Sequence, residues 1–306
     1  MSFLSFLASI RNPFLDYLML GISHLGTPFF IFGVIGWYYL NVNKKEAYGM
    51  GLAFCYSCLL CQGIKILARV PRPWNLDTSF EPVAGAVSSA GGYSFPSIHT
   101  QSVTSFCLSG IYFNKKRKAR IILAVLLVLV AFSRMYLGCH TPMDVAGAFV
   151  ITSAVTAAIW HAWNRHRRTF AEDNMMLVLF LLGFAAILLA LAGALNGNGT
   201  IDYSNAKDSF ETAGLAIGFV ISCFVESRLI RFSEEGTLPQ KVLRFLIALA
   251  GIAVIQTVLK RLGGSNIPLL VIRYMLLILW LMVATPLISI KAGLASRIGA
   301  TRMPKI

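Results

Sequence analysis

The sequence predicts an all-α polytopic membrane protein, a helical bundle of about nine transmembrane helices preceded by an N-terminal interfacial helix. Of its 306 residues, 57% are hydrophobic and 13% are charged, and the mean hydropathy is +0.70. A water-soluble domain carries about 25% charged residues. Apolar runs of roughly 20 residues, long enough to cross the hydrocarbon core, recur along the chain. Composition and pattern together indicate a multi-pass integral membrane protein.

The first 25 residues are apolar but are interrupted by RNPFLD at 11–16. This interruption predicts a helical segment that lies in the membrane interface, with a tenth crossing as the alternative. The segment lacks the basic start and clean apolar core of a cleaved signal peptide. The sequence HLGTP at 24–28 marks a break before the first span. The nine predicted spans are 27–42, 47–68, 97–113, 120–137, 142–163, 174–195, 212–230, 241–260 and 268–290.

Basic residues set the predicted orientation. The net charge is +14, but Lys and Arg lie in short runs between spans, such as NKK at 43–45 and NKKRKAR at 114–120, and do not form one patch. This pattern indicates a positive-inside bias with anionic lipid, not nucleic acid, as the partner. The segments expected in the cytoplasm hold most of the Lys and Arg: 43–46, 114–119, 164–173, 231–240 and the C-terminus. The expected outer segments are 69–96, 138–141, 196–211 and 261–267.

The basic link at 164–173 divides the chain into two predicted units. Unusual polar residues near span ends lie before this link, so we predict a catalytic core at 1–165, with about five spans. A four-helix transmembrane extension at 166–306 is expected to pack beside it. Cys55, Cys58 and Cys61 recur at helical spacing. They indicate a packed helix face and not a metal site, since a second Cys or His cluster is not visible. We therefore expect neither a metal nor another cofactor.

Three polar motifs fall on the predicted outer side of the membrane. They are KILARVPRP at 65–73, YSFPSIHT at 93–100 and SRMYLGCHTPMD at 133–144. Lys65, Arg72 and Arg134 contribute three cations, whereas Asp144 is the one acid. Cations at a membrane boundary are costly unless an anion compensates them. The missing negative charge predicts that the site binds a phosphate.

The spacing of the basic residues suggests how they reach this phosphate. Lys65 and Arg72 are seven residues apart, about two helical turns, so both are expected to face one pocket before Pro71 and Pro73 end the helix. The planar guanidinium of Arg134 suits bidentate contact with phosphate oxygens.

The two remaining motifs supply candidate catalytic groups. Ser97 opens the third span, where the amides of residues 97–99 and the helix dipole favour an anion. Of His99 and His140, one can attack phosphorus while the other protonates the leaving oxygen. Asp144 is expected to accept a hydrogen bond from His140 and to fix its tautomer. The preceding Thr-Pro pair also makes this acid part of a predicted helix cap.

In this order, Lys-x6-Arg-Pro, Pro-Ser-x-His and Ser-Arg-x5-His-x3-Asp resemble the three signatures of the type-2 phosphatidic acid phosphatase (lipid phosphate phosphatase) superfamily. That superfamily also includes glucose-6-phosphatase and the vanadium haloperoxidases. The resemblance covers about residues 10–165. It implies a metal-independent phosphatase that works through a phosphohistidine and whose active site faces away from the cytoplasm. By matching position, it implies that His140 is the nucleophile, Asp144 its partner and His99 the general acid. The phosphate-binding residues that it implies are Lys65, Arg72, Ser97, Ile98 and Arg134.

This sequence departs from the family pattern in two places. The family's second motif usually reads Pro-Ser-Gly-His, whereas this chain has PSIH. Glycine lets the backbone amide come close to phosphate. Ile98 can still donate its N–H if its φ is negative, but its side chain narrows the approach. The last four spans also exceed the usual core. A nine-span plan with the N-terminus outside resembles glucose-6-phosphatase in topology, which does not identify a sugar as the substrate.

We expect hydrolysis of a lipid phosphomonoester or pyrophosphate on the extracytoplasmic face of the cell membrane, because the motifs lie at head-group depth. Phosphatidate, phosphatidylglycerol phosphate and polyprenyl (pyro)phosphate are candidates that the residues do not rank. The alternatives are a phosphotransferase with a lipid or sugar acceptor and a glucose-6-phosphatase-like enzyme with a soluble substrate. A lipid-binding protein or transporter without catalysis is less expected, because both histidines are present. Haloperoxidase activity is disfavoured, since in the family it belongs to soluble, vanadate-loaded proteins.

Two further arginines need partners in the membrane. Arg273, near the outer end of the last span, is expected to pair with an acid of the outer segment, and contact with the substrate head group is the alternative. The candidate acids are Asp202, Asp208 and Glu211. Arg69 either lines the pocket or extends to the interface.

Overall fold

A computed structural model of the chain describes residues 2–88, 90–165 and 175–298. Within these ranges the fold is helical, and β pairing is limited to one isolated antiparallel bridge between Phe232 and Arg297. The predicted all-α class is therefore confirmed. Most of the basic link at 164–173, the predicted boundary between 165 and 166 and the last eight residues, 299–306, lie outside the described residues.

Helices joined by short turns make up the first half of the chain. Two of them, each of four residues, lie in the loop between the second and third predicted spans. The helices of this half are α1 (Ser2–Ser9), α2 (Pro13–His24), α3 (Pro28–Asn41), α4 (Lys44–Ala68), α5 (Pro73–Leu76), α6 (Ala84–Val87), α7 (Ile98–Phe113), α8 (Arg117–Tyr136) and α9 (Pro142–Arg165). The predicted break at 24–28 is present: the Thr27 hydroxyl accepts a hydrogen bond from the Phe30 amide, and Pro28 is the first helical residue. The chain bends by 48° there, between α2 and α3.

The second half contains the remaining long helices. They are α10 (Met175–Gly197), α11 (Tyr203–Val225) with the π-helical turn Glu226–Ile230, α12 (Leu238–Gly263), α13 (Ile267–Leu279) with the π-helical turn Trp280–Ala284, and α14 (Thr285–Lys291). The segment 196–211, expected to be an outer loop, is helical from Tyr203 onward. That expectation was wrong because residues 203–211 are polar, and hydropathy does not distinguish a polar helical turn from a loop.

Seven helical segments among the described residues are long and apolar enough to cross a membrane, and the bent α2–α3 pair would make an eighth. Two of the predicted spans correspond to α3, with 14 residues, and α7, with 16 residues. A 16-residue helix is about 24 Å long and is shorter than a hydrocarbon core of ~30 Å. The count of about nine spans and the interfacial position of the first helices stay predictions.

The shortness of α7 fits its place inside the bundle, where it contacts α3, α4, α8 and α9. Its buried residues include Thr100, Gln101, Ser102 and Ser105. The Gln101 amide donates to the Ser57 hydroxyl of α4 at 2.8 Å, which satisfies both polar groups away from lipid. The start of α7 is therefore held in the protein interior.

The extension shares one hydrophobic core with the first half. Gly51 of α4 lies against the ring of Phe219 of α11. At one end of these helices, the Lys44 ammonium pairs with the buried Glu226 carboxylate at 2.8 Å, and the Tyr48 hydroxyl donates to the same carboxylate. This ion pair joins the start of α4 to the turn that follows α11. Helices from both halves of the chain can therefore line one cavity.

Candidate active site

The three motifs meet at a cavity of about 230 Å³, lined by the C-terminal end of α4, the start of α7, the turn between α8 and α9, and one face of α11. This space is more than ten times the ~15 Å³ that one water molecule needs. Lys65, Ile98, His99 and His140 line it directly. The remaining predicted site residues do not line the cavity themselves and lie next to those that do. They are Arg72, Ser97, Arg134 and Asp144.

Lys65 and Arg72 reach the site by a route that the spacing argument did not predict. The α4 helix ends at Ala68, and Arg69 adopts a left-handed conformation with φ 48°. Arg72 therefore extends from a loop and not from a second turn of the same helix, which corrects the expectation that Pro71 and Pro73 end the helix. Arg69 is exposed and does not line the cavity.

Both basic side chains bind the carbonyls of one glycine-rich segment. The Lys65 ammonium donates to the Tyr93 carbonyl at 2.9 Å. The Arg72 guanidinium donates to the carbonyls of Gly91 and Gly92 at 2.7 and 3.1 Å. Lys65 is 2% exposed and Arg72 is 4% exposed, so these bonds replace water around buried charges. The two cations are thereby held in place before any anion binds.

The turn between α8 and α9 presents His140. Gly138, with φ 76°, allows the chain to reverse, a conformation that side chains disfavour. The amides of Cys139 and His140 then both donate to the Arg134 carbonyl, at 3.1 and 3.3 Å. His140 is 1% exposed, and its Nε2 lies 3.0 Å from an amino group of Arg72.

Asp144 lies behind the imidazole of His140. One carboxylate oxygen is 3.7 Å from Nδ1 of His140. The same oxygen accepts hydrogen bonds from the Thr141 amide and the Ser94 hydroxyl, each at 2.7 Å. The Thr141 hydroxyl accepts from the Asp144 amide at 3.3 Å, so the predicted helix cap is present. Ser94 belongs to the second motif, but no role was predicted for it because a lone serine carries no spacing signal.

These contacts favour one tautomer of His140. The Arg72 amino group lies 3.0 Å from Nε2 and 3.4 Å from Nδ1 and does not distinguish the two nitrogens. The Asp144 carboxylate does, because it accepts hydrogen bonds and lies on the Nδ1 side of the ring at 3.7 Å. Nδ1, which faces Asp144, then carries the proton. Burial, and next the positive charge of Arg72, lower the pKa of His140 well below its ordinary value of 6.5. The neutral imidazole therefore directs the lone pair of Nε2 toward the cationic side of the cavity, as a nucleophile requires.

The start of α7 supplies the second histidine and backbone donors. The Ser97 hydroxyl caps the helix by accepting from the Thr100 amide at 3.4 Å, and the Ser97 amide donates to the Asp144 carbonyl at 3.1 Å. The first-turn amides of Ile98 and His99 therefore remain as donors for an anion. Ile98 has no positive φ, since Arg69 and Arg231 are the described non-glycine residues that do.

His99 is suited to contact a ligand. Its side chain is 7% exposed, and its Nε2 has no hydrogen-bond partner among the described residues. Because it lines the same cavity as His140, a bound molecule can satisfy this nitrogen.

Arg134 is completely buried at the end of α8. One of its amino groups donates to the Ser23 hydroxyl of α2 at 2.7 Å. The N-terminal segment thus holds Arg134, which is a predicted phosphate-binding residue. No motif in the sequence indicates this contact.

The opposite wall of the cavity comes from the extension and is acidic. Asp208 and Glu211 of α11 line it, together with Tyr274 of α13. A Glu211 carboxylate oxygen is 3.6 Å from an amino group of Arg273 and 3.5 Å from the Lys207 ammonium. The predicted pairing of Arg273 with an acid of this segment is confirmed. Neither Asp208 nor Glu211 was predicted as a site residue, because residues 196–211 were expected to form a loop.

Comparison with known proteins agrees with this geometry. The PAP2 superfamily matches residues 46–168, and the transmembrane extension of PAP2 superfamily phosphatases matches residues 210–297. Phosphatidylglycerophosphatase B of Bacillus subtilis (strain 168) is 32% identical over 154 residues, which are 46% of this chain and 71% of the relative.

Two further relatives align with about half of the chain. Sphingosine-1-phosphate phosphatase 2 of Mus musculus is 25% identical over 162 residues, or 51% of this chain and 44% of the relative. Undecaprenyl-diphosphatase BcrC of Bacillus subtilis (strain 168) is 26% identical over 145 residues, or 47% of this chain and 72% of the relative. No solved structure gives a significant match.

Proposed function

Because the chain belongs to the PAP2 superfamily and is a membrane lipid phosphatase of that superfamily, we propose that it hydrolyses a lipid phosphomonoester or pyrophosphate on the extracytoplasmic face through a phosphohistidine on His140. Membership of the superfamily leaves open the substrate, the side of the membrane and the group that attacks phosphorus. The residues of the site and its surroundings bear on each of these.

The main observation in favour of a lipid substrate is a second pocket beside the catalytic cavity. It has a volume of about 290 Å³ and lies between α3, α12 and α13. Its wall is mainly apolar and includes Phe29, Phe32, Leu249 and Leu277. The two spaces share the wall residues Pro28, Glu211, Leu215 and Tyr274. A phosphate in the first space can therefore have its hydrocarbon tail in the second.

The distribution of charge along the helices supports an outward-facing site. The α4 helix begins with Lys44 and Lys45 and ends near the site, and α8 begins with Arg117 and Lys118 and has Arg134 in its last turn. Site residues thus lie at the helix ends opposite to the basic ends. Basic ends are retained in the cytoplasm.

The proposed chemistry proceeds in two displacements at phosphorus. Lys65, Arg72, Arg134 and the first amides of α7 neutralise the phosphate oxygens. Nε2 of His140 uses its lone pair to form a bond to phosphorus while the bond from phosphorus to the ester oxygen breaks. His99, which takes up a proton when the phosphate anion binds beside it, gives that proton to the departing oxygen, so the lipid leaves as an alcohol. Asp144 faces Nδ1 and stabilises the positive charge that develops on the ring of His140.

The second displacement restores the enzyme. His99, now neutral, accepts a proton from a water molecule whose oxygen attacks phosphorus. The bond between phosphorus and Nε2 breaks, and inorganic phosphate leaves. The protons and lone pairs of this scheme come from His99, His140 and the attacking water. Among the described residues, no group of three His, Cys, Asp or Glu side chains is placed to hold a metal ion.

Phosphate release in the presence of EDTA tests this proposal. The purified protein, reconstituted in sealed vesicles of known orientation, would be given phosphatidylglycerol phosphate, sphingosine 1-phosphate, undecaprenyl diphosphate, phosphatidate and glucose 6-phosphate on the outer side. We expect chelator-resistant release from at least one lipid. Release from glucose 6-phosphate alone would contradict a lipid substrate. Transfer of the phosphoryl group to a second lipid or a sugar, without free phosphate, would identify a phosphotransferase instead.

Filling the apolar pocket should impair long-chain substrates selectively. A Cβ atom on Gly33, which lines this pocket, would meet no other atom within 4 Å, so Gly33→Leu places a side chain in open space. Displacing two methylenes of a tail, at about 0.8 kcal/mol each, should lower kcat/KM about tenfold. The comparison is between a C16 and a C4 alkyl phosphate, with the short substrate unaffected.

Gly183→Leu is the matched control for that prediction. Gly183 is an exposed glycine in α10, a Cβ atom added to it would meet nothing within 4 Å, and it lies outside both pockets. An equal loss for both chain lengths in Gly33→Leu would contradict the assignment of this pocket to the tail.

Replacing Ile98 with glycine should change kcat/KM by at least several-fold. Ile98 lines the catalytic cavity, and its amide is a first-turn donor of α7. Glycine would widen the approach of phosphate to this amide. Steady-state kinetics with one lipid substrate measure the effect, and Ile111→Gly in the same helix controls for the loss of helix propensity. Identical kinetics for wild type and Ile98→Gly would show that the side chain does not affect phosphate access.

A further inference from the structure

The cavity contains polar groups that the phosphatase chemistry does not use. Asp208 of α11 and Gln62 of α4 both line it. Gln62 is 3% exposed, its Oε1 is unpartnered among the described residues, and it lies three residues before Lys65 on the same helix. An unpartnered amide oxygen in a buried wall is costly, so a ligand that donates a hydrogen bond to it gains affinity.

Asp208 differs from its neighbour Glu211 in having no ion-pair partner within 4 Å among the described residues, although its charge acts on Lys65 and Arg72 at longer range. Glu211 is paired with Arg273 and Lys207. The Asp208 carboxylate forms no hydrogen bond or salt bridge with any residue in the described part of the chain, although its backbone carbonyl accepts from the Thr212 hydroxyl at 2.8 Å. Its side chain is half-buried and faces the cavity. A carboxylate without a hydrogen-bond partner among the described residues thus lines the same cavity as the two histidines.

This arrangement is unfavourable for a simple phosphate ester. A carboxylate repels a phosphate bound in the same small cavity. The repulsion is offset when the substrate itself carries a hydrogen-bond donor between the two anions. The Asp208 carboxylate accepts hydrogen bonds and cannot donate them, so it matches a donor on the substrate and not a second phosphate oxygen. The unpartnered Gln62 oxygen offers a second acceptor in the same cavity.

Resting on the proposed function, we infer that Asp208 and Gln62 form a recognition site for a hydroxyl or ammonium group that the lipid carries next to its phosphate. The cationic wall binds the phosphate, the acidic wall of α11 binds this donor, and the apolar pocket receives the tail. The extension thereby determines which lipid phosphates are selected. The chemical class is a long-chain phosphate ester with a donor on the carbon beside the ester carbon.

Three synthetic amphiphiles test the inference because they share one tail and one phosphate. They are hexadecyl phosphate, 2-hydroxyhexadecyl phosphate and 2-aminohexadecyl phosphate. We expect wild-type kcat/KM to be at least fivefold higher for the hydroxyl or amino compound than for the plain ester. The preference is the ratio of kcat/KM for the donor-bearing compound to kcat/KM for the plain ester. In Asp208→Asn, this ratio should fall to near one for the amino compound. It should be partly kept for the hydroxyl compound, since the asparagine oxygen still accepts a hydrogen bond. The pattern identifies which donor the site takes.

Two variants keep this test independent of protein stability. Gln62→Met, which preserves volume, should lower the same preference, measured as the ratio of kcat/KM for the donor-bearing compound to kcat/KM for the plain ester. Asp202→Asn is the matched control, because Asp202 is an exposed carboxylate at the start of α11 and lies outside the cavity. Equal kcat/KM for all three compounds in the wild type, or an unchanged preference in Asp208→Asn, would overturn the inference.

Failure of the proposed function gives a different result. If none of the three compounds is hydrolysed, the phosphatase proposal fails. The dissociation constants of the three compounds then still test whether Asp208 and Gln62 form a recognition site. Tighter binding of the donor-bearing compounds that is lost in Asp208→Asn would support it. Equal dissociation constants would overturn it.

Discussion

Replacing His140 with alanine is expected to lower the rate of phosphate release roughly 10⁴-fold or more, because the variant has no atom that can form the bond to phosphorus. In the wild type, a substrate labelled with ³²P should transfer its label to protein, and an alkaline quench preserves phosphohistidine. The labelled peptide should contain His140. The loss should be similar for alkyl and aryl phosphates, since the nucleophile is required for every leaving group.

His161→Ala is the control for this experiment. His161 is an exposed histidine near the other end of α9, and its removal should leave the rate unchanged. Label recovered on a residue other than His140, or a His140→Ala rate within tenfold of wild type, would contradict the phosphohistidine scheme. Retained binding of inorganic phosphate by His140→Ala would show that the variant is folded.

Replacing His99 with alanine should produce a loss that depends on the leaving group. General acid catalysis contributes about 10²- to 10⁴-fold, and this factor matters most when the departing alkoxide is a strong base. Hydrolysis of an alkyl phosphate should therefore fall by that amount. With p-nitrophenyl phosphate, whose phenolate leaves without a proton, the first step should stay within about tenfold of wild type.

The same variant should also separate the two displacements. If His99 is the base that activates water, His99→Ala should release one p-nitrophenol per active site in a burst and then turn over slowly. Stopped-flow absorbance measures the burst, and the labelled intermediate should accumulate in parallel. An equal loss for both leaving groups with no burst would assign His99 to binding and not to proton transfer.

Hydropathy predicted the all-helical class and most helix positions, because apolar runs and basic ends are properties of local sequence. It did not predict where α11 begins, since Tyr203–Glu211 is a polar stretch whose helical state depends on packing against α13. The short α7 was predicted as an ordinary span. Its buried polar residues, including Gln101, are satisfied by neighbouring helices that local sequence does not specify.

The motifs identified residues that the structure brings together at one cavity, because their order and spacing recur in a family. They did not give the route by which Arg72 arrives, since the left-handed conformation of Arg69 ends α4 one turn early. Asp208 and Gln62 could not be predicted as neighbours, because they lie on helices separated by more than a hundred residues. Only the three-dimensional packing of α11 on α4 brings them to one cavity.

Because α4 and α11 line opposite walls of the cavity, the two walls are synthesised at different times. The chain is made from its N-terminus at about 5–20 residues per second, so Asp208 follows Asp144 after a delay of several seconds. During that interval, the catalytic groups of the first half border a cleft without its acidic wall. Water or anionic lipid head groups must solvate Lys65 and Arg72 until α11 inserts. On the proposed assignment, a nascent chain contains its phosphate-binding residues before it contains the helix that selects among lipids.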